Sequence, residues 1–90
     1  MNYLKFPLNY QSAGVTVEVT LRGVESDVLL MDSSNLSSFE RGAGQVNSYG
    51  GHYKASPARL TVPTSGTWTV VVIPGPGGTV HASVRTIAAA

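Results

Sequence analysis

Ninety residues, 42% of them apolar, are enough for one domain with its own core, since single cores typically serve about 100–150 residues. Charged residues make up only 12%, for a net charge of +1, and the six basic ones (Lys5, Arg22, Arg41, Lys54, Arg59, Arg85) are scattered. That argues against nucleic acid as a partner, which calls for a clustered basic face, and the lack of cysteine excludes disulfides and thiolate metal sites together.

The opening "MNYLKFPLNY" (1–10) has neither a basic leader nor an unbroken apolar run of seven residues. It does not read as a signal peptide, and no run approaches the ~20 apolar residues that cross a bilayer. The expected address is the cytoplasm, with no membrane partner. In "VTVEVTLR" (15–22), Val15, Val17, Val19 and Leu21 alternate with polar residues, the period of a strand with one buried face. After a turn at Gly23–Ser26, "DVLLMD" (27–32) carries four consecutive apolar residues, which predicts a strand covered on both faces. "MDSSN" (31–35) places Asp32 and Asn35 around two serines where that strand ends. Such residues cap helices and make Asx turns, and they also cluster hydrogen-bonding groups at one end of the fold.

The single helix candidate lies near residues 35–41. Ser37 and Glu40 have capping-box spacing, Leu36 and Phe39 share a face, and Gly42 can end the turn. Its expected place is as a plug over one open end of the strands. "SYGGHYKASP" (48–57) then sets two tyrosines and a histidine around a double glycine, which in a strand marks a bulge, a bend or the close approach of another backbone. Strict alternation separates Tyr49, Gly51 and Tyr53 from Gly50 and His52, whereas a bend would turn Tyr49 and His52 toward a common hollow. "ARLTV" (58–62), the "PTSG" turn (63–66), "TWTVVVI" (67–73), the "PGPGG" loop (74–78) and "TVHASVRTI" (79–87) complete the chain, and the final "AAA" (88–90) is expected to fray. About seven short strands separated by turns predict an all-β fold. We expect a single compact antiparallel β-sandwich, jelly-roll-like, over residues 1–87.

Chemistry is harder to find than architecture. "PGPGG" leads into a strand, so it lacks the helix N-terminus that a phosphate loop needs. Trp68, the only tryptophan, alternates inward with Val70 and Val72 and reads as core, although a ring near the rim would also serve as a stacking surface. His52 and His81 are the available bases, but no G-x-S-x-G elbow is present and no metal-ligand spacing joins the histidines to a carboxylate. No catalytic residue, metal or cofactor is therefore expected. The candidate ligand-binding set is Asp32, Asn35, Tyr49, His52 and Tyr53.

The blocks "MNYLKFPL", "VEVTLRGV", "LMDSSN", "YGGH", "SPARLTVPTSGTWTVVV" and "VHASVRTI" resemble a small bacterial family of domains of unknown function, across nearly the whole chain. Where Ile73-Pro74-Gly75 follows the valines, the family pattern has an acidic residue. The resemblance implies a compact β-sandwich that also occurs fused to TIR domains, and hence a sensing or assembly module. "VPTSGTWTVVV" is more loosely similar to pre-peptidase C-terminal sandwich domains. The expected function is a non-catalytic binding or sensing module, with a small-molecule ligand or protein as partner. The alternative is homo-oligomerisation or protein interaction through exposed β-edges, since low surface charge and open edges invite pairing.

Overall fold

The computed structural model of the chain describes residues 2–89. Its elements are β1 (Leu4–Gln11), β2 (Thr16–Gly23), β3 (Ser26–Asp32), α1 (Ser33–Glu40), β4 (Tyr49–Tyr53), β5 (Ala58–Thr61), β6 (Gly66–Pro74) and β7 (Val80–Ile87). They form a four-stranded sheet in the order β1-β6-β3-β4 and a three-stranded sheet in the order β5-β2-β7. Every pairing is antiparallel. All connections except β3–α1–β4 pass from one sheet to the other. That crossing gives the jelly-roll-like sandwich expected from the sequence, with seven strands where a full jelly roll has eight.

Alternation along each strand builds the core between the sheets. Val17 and Val19 of β2, Val28 and Leu30 of β3, Leu60 of β5, Trp68, Val70 and Val72 of β6 and Val80 of β7 form one buried cluster. Apolar burial of this kind stabilises by roughly 25 cal/mol per Å². The intervening Met31 and Val71 are fully buried too, yet lie outside that cluster. Period-2 geometry puts them on the outer face of the larger sheet, and α1 packs there against β3 and β6. The four-residue apolar run of β3 is thus covered on both faces.

The helix lies across a sheet face instead of plugging an open end. Glu40 accepts from Lys5 Nζ at 2.7 Å, and Tyr3 meets Phe39 edge-on at 5.2 Å. These partners lie on or beside β1, where Lys5 pairs with Val71 and shares its face. The ion pair raises the pKa of Lys5 and lowers that of Glu40, chiefly through their shared hydrogen bond. The helix also starts earlier than the Ser37–Glu40 spacing suggests. Asp32 caps it, accepting from the Asn35 N–H at 2.9 Å, and so captures an otherwise orphaned donor. Its end follows the expected glycine rule: Gly42, at φ +78°, donates to Phe39 O while Ala43 donates to Ser38 O, a Schellman motif.

β1 carries no clean alternation signal in the sequence because Pro7 interrupts it. It survives as an edge strand, where a missing N–H costs nothing, with a register shift between Pro7 and Asn9 and Asn9 at φ 61°. On the outer face of the smaller sheet, Glu18 lies directly across from Arg59 and Arg85. Arg85 Nε donates to it at 2.6 Å and Arg59 Nε at 3.0 Å. These bonds, that to Arg85 first, hold the Glu18 carboxyl below its usual range despite partial desolvation. Beyond β7, Ala88 and Ala89 have no regular structure, and Ala90 lies outside the described residues.

Candidate functional site

The "YGGHY" segment enters the sheet without a bulge. Tyr49, Gly50, Gly51, His52 and Tyr53 pair in unbroken register with Leu30, Leu29, Val28, Asp27 and Ser26. Gly50 has φ +127°, and a Cβ there would collide with the Val28 carbonyl oxygen, while Gly51 faces open space. Gly50 alone therefore serves close approach of the β3 backbone, and alternation is kept. Directly paired residues share a face, so Tyr49, Gly51 and Tyr53 lie with the core residues Leu30 and Val28, while His52 lies with Asp27 on the outer face.

His52 consequently takes part in a cluster of its own. Its Nδ1 lies 2.8 Å from Asp27 Oδ1 and its Nε2 lies 2.9 Å from Glu25 Oε1. The bond to Glu25, then that to Asp27, raises the imidazole pKa above its ordinary value. Because the carboxylates grip opposite ring nitrogens, the three groups do not converge on a point where a cation would sit. No group of three metal-ligating side chains able to hold a metal ion occurs among the described residues.

A cleft opens elsewhere, at the end of the sandwich where β3 passes into α1 and the bend at Thr64 and Ser65 enters β6. It encloses about 330 Å³ and is lined by Asp32, Ser33, Ser34, Thr64, Ser65, Gly66, Thr67 and Trp68. The β3–β6 register pairs Asp32 with Trp68, and this brings the two chain segments together. Trp68 is 3% exposed, and its Nε1–H donates to Thr64 O at 2.9 Å, which fixes the indole at the cleft wall. Tyr49 packs edge-on against that indole, with centroids 5.9 Å apart. The Asp32 Oδ1 is occupied by the Asn35 N–H and Nδ2, both at 2.9 Å, which leaves Oδ2 as an open acceptor. Ser65 Oγ accepts from Ala13 N–H at 2.9 Å, so its own proton is free to donate.

The expected ligand set is accordingly divided. Asp32 lines the cleft, and Tyr49 reaches it through Trp68. Asn35 stands behind Asp32, tying it to the Asn47 N–H through Oδ1 at 2.9 Å. His52 and Tyr53 are elsewhere: their β3 partners lie five and six residues from Asp32, about 17 and 20 Å at ~3.4 Å per residue. The serines of "MDSSN" do line the cleft, whereas the "PTSG" turn supplies hydroxyls that read in the sequence only as turn formers. A cross-strand register joins these two stretches, and alternation alone does not specify it.

The cleft is lined mainly by polar groups. It offers a carboxylate, two serine and two threonine hydroxyls beside Ser65, and one aromatic wall, with no basic side chain among its lining residues. An anion would meet Asp32 without a compensating cation. Neither histidine lies in the lining, so no nucleophile–base pair of the serine–histidine kind forms there.

None of the curated proteins matches the chain, and no solved structure does. One family model covers all of it, residues 1–90, in agreement with the resemblance carried by the "LMDSSN", "YGGH" and "VPTSGTW" blocks: the chain belongs to the family described as domain of unknown function DUF1883.

Proposed function

We propose that the domain is a non-catalytic binding or sensing module whose ligand seat is the cleft beside Trp68. The observation that carries this reading is the convergence of Asp32, hydroxyls from two chain segments and the indole around about 330 Å³, the lower end of the size range of small-molecule sites. The chemistry favours a small neutral or cationic compound rich in hydroxyl or amino groups. Its donors would meet Asp32 Oδ2, and its apolar face would meet the aromatic wall. Cytoplasmic residence and bacterial origin are part of the same proposal; a cysteine-free chain suits a reducing compartment, and no helix among the described residues is long and apolar enough to cross a membrane.

Trp68 is the only tryptophan, so its fluorescence reports directly on the cleft. Titration with a panel of polyols, amino alcohols and small sugars is expected to shift the emission saturably for one class. Asp32→Ala should weaken that response at least about tenfold, as loss of a charged hydrogen-bonding partner does. A panel that leaves the emission unchanged, or an unaltered response in Asp32→Ala, would remove the cleft as the binding site.

A further inference from the structure

The sandwich leaves four edge strands, and three of them are poor templates for pairing. β1 carries Pro7 and the register shift that follows it. β4 has five residues, two of them glycine, and β5 has four. β7 is different: eight residues, Val80–Ile87, with no proline, glycine or register shift, paired on one side only, to β2.

The hydrogen bonding of β2 shows which β7 groups are free. Leu21 N–H donates to Ser56 Oγ and Val15 O accepts from Val62 N–H, so the odd-numbered residues of β2 turn their backbone groups toward β5. The even-numbered ones face β7, where Thr16, Glu18, Thr20 and Arg22 pair with Ile87, Arg85, Ser83 and His81. In an antiparallel ladder those four β7 residues bond inward to β2, and the alternate ones bond outward. Val80, Ala82, Val84 and Thr86 thus present their N–H and C=O groups along an open edge. Their side chains belong to the core face, where Ala82 and Val84 pack only partly buried against the cluster. β4 packs near β5, so β7 lies on the opposite, β1 side of the sandwich, where Leu4, Phe6 and Leu8 are also only partly buried.

We infer that β7 is a homodimerisation edge, pairing antiparallel with β7 of a second copy about a twofold axis at Ser83. The edge is self-complementary in that register alone. Val80 meets Thr86 of the copy and Ala82 meets Val84, so the free groups of all four residues are used, about eight main-chain hydrogen bonds. Inward and outward faces stay continuous, Ala82 and Val84 extend one apolar surface, and Ser83 faces Ser83. His81 meets Arg85, whose guanidinium is already held by Glu18. A shift by two residues in either direction leaves one end of the free edge unpaired, and a shift by one mixes the two faces. The result is a continuous sheet of six strands, β5-β2-β7-β7-β2-β5. It is independent of any ligand in the cleft.

Sedimentation equilibrium of the full chain over a concentration series, with Ser83→Lys and Ser83→Cys, tests the assignment. Ser83 is exposed on the outer face of β7, so both variants should keep the native circular dichroism. Wild type is expected at twice 9.4 kDa. Ser83→Lys sets like charges directly opposite each other and should weaken the dimer at least about tenfold. Opposed residues of a non-hydrogen-bonded pair have Cα atoms about 4.5 Å apart, within the ~4.4–6.8 Å span of a disulfide. In a chain without native cysteine, Ser83→Cys should therefore oxidise to a covalent dimer, while Thr20→Cys, one strand further in on the same face, should not. A monomeric wild type throughout the series would overturn the inference, including one in which β7 binds only another protein. So would a dimer that Ser83→Lys leaves intact and Ser83→Cys fails to cross-link.

Discussion

Trp68 ties the core to the cleft. Its ring fills space between the sheets at 3% exposure, while its Nε1–H holds Thr64 O at the rim. Trp68→Ala is expected to cost about 3–5 kcal/mol in urea denaturation, as large-to-small core changes do; native stability in that variant would make the indole a surface group. His52 invites a different measurement. Its raised pKa means the folded chain favours the protonated ring between Glu25 and Asp27. The associated stability is fully present below the unfolded imidazole value of about 6.5 and is lost as pH rises through the higher folded value. Urea midpoints between about pH 6 and pH 9 should fall for wild type and flatten in His52→Gln, and an unchanged slope in the variant would deny the cluster any role. In the sequence, Glu25 and Asp27 could not be assigned to His52, because the pairing depends on which β3 residue lies opposite it.

At the scale of elements, "VTVEVTLR" follows β2 because one face packs on the core and enforces alternation. β6 and β3 are buried on both faces, so "TWTVVVI" and Val28–Met31 were legible as apolar runs instead. β1 was not, since Pro7 hides a strand that only an edge position tolerates. The helix lies where the sequence places it but starts earlier than the Ser37–Glu40 spacing suggests: Asp32 outcompetes Ser37 as cap because β3 ends there and delivers its carboxylate to the Asn35 N–H. Asp32→Ala should accordingly cost about 0.5–2 kcal/mol, the usual worth of an N-cap, read as a lower thermal midpoint. The glycines of β4 offer a sharper contrast. Gly50→Ala forces both a left-handed φ and a clash with Val28 O, an expected loss of at least about 1–3 kcal/mol. Gly51→Ala meets nothing and should be within about 0.5 kcal/mol of wild type. Equal effects at the two positions would contradict the close-approach reading.

For the whole molecule, topology turns ordinary turn residues into a candidate site. The strand order β6-β3 sets the end of β3 beside the start of β6, so "MDSSN" and "PTSGTW", separated by 27 residues of chain (36–62) and joined by no motif, share one cleft. The order β5-β2-β7 of the smaller sheet leaves β7 at an edge. The proposed ligand seat at one end and the inferred pairing edge along one side are compatible, since the Trp68 cleft and β7 are different surfaces of one sandwich. Native mass spectrometry of the protein purified gently from its own cells, beside Asp32→Ala prepared in the same way, reports whether the Trp68 cleft holds a small molecule. A retained non-protein mass on wild type that disappears or falls sharply in Asp32→Ala is the expected result. Wild-type protein carrying no added mass, or an added mass that Asp32→Ala retains in full, would contradict it.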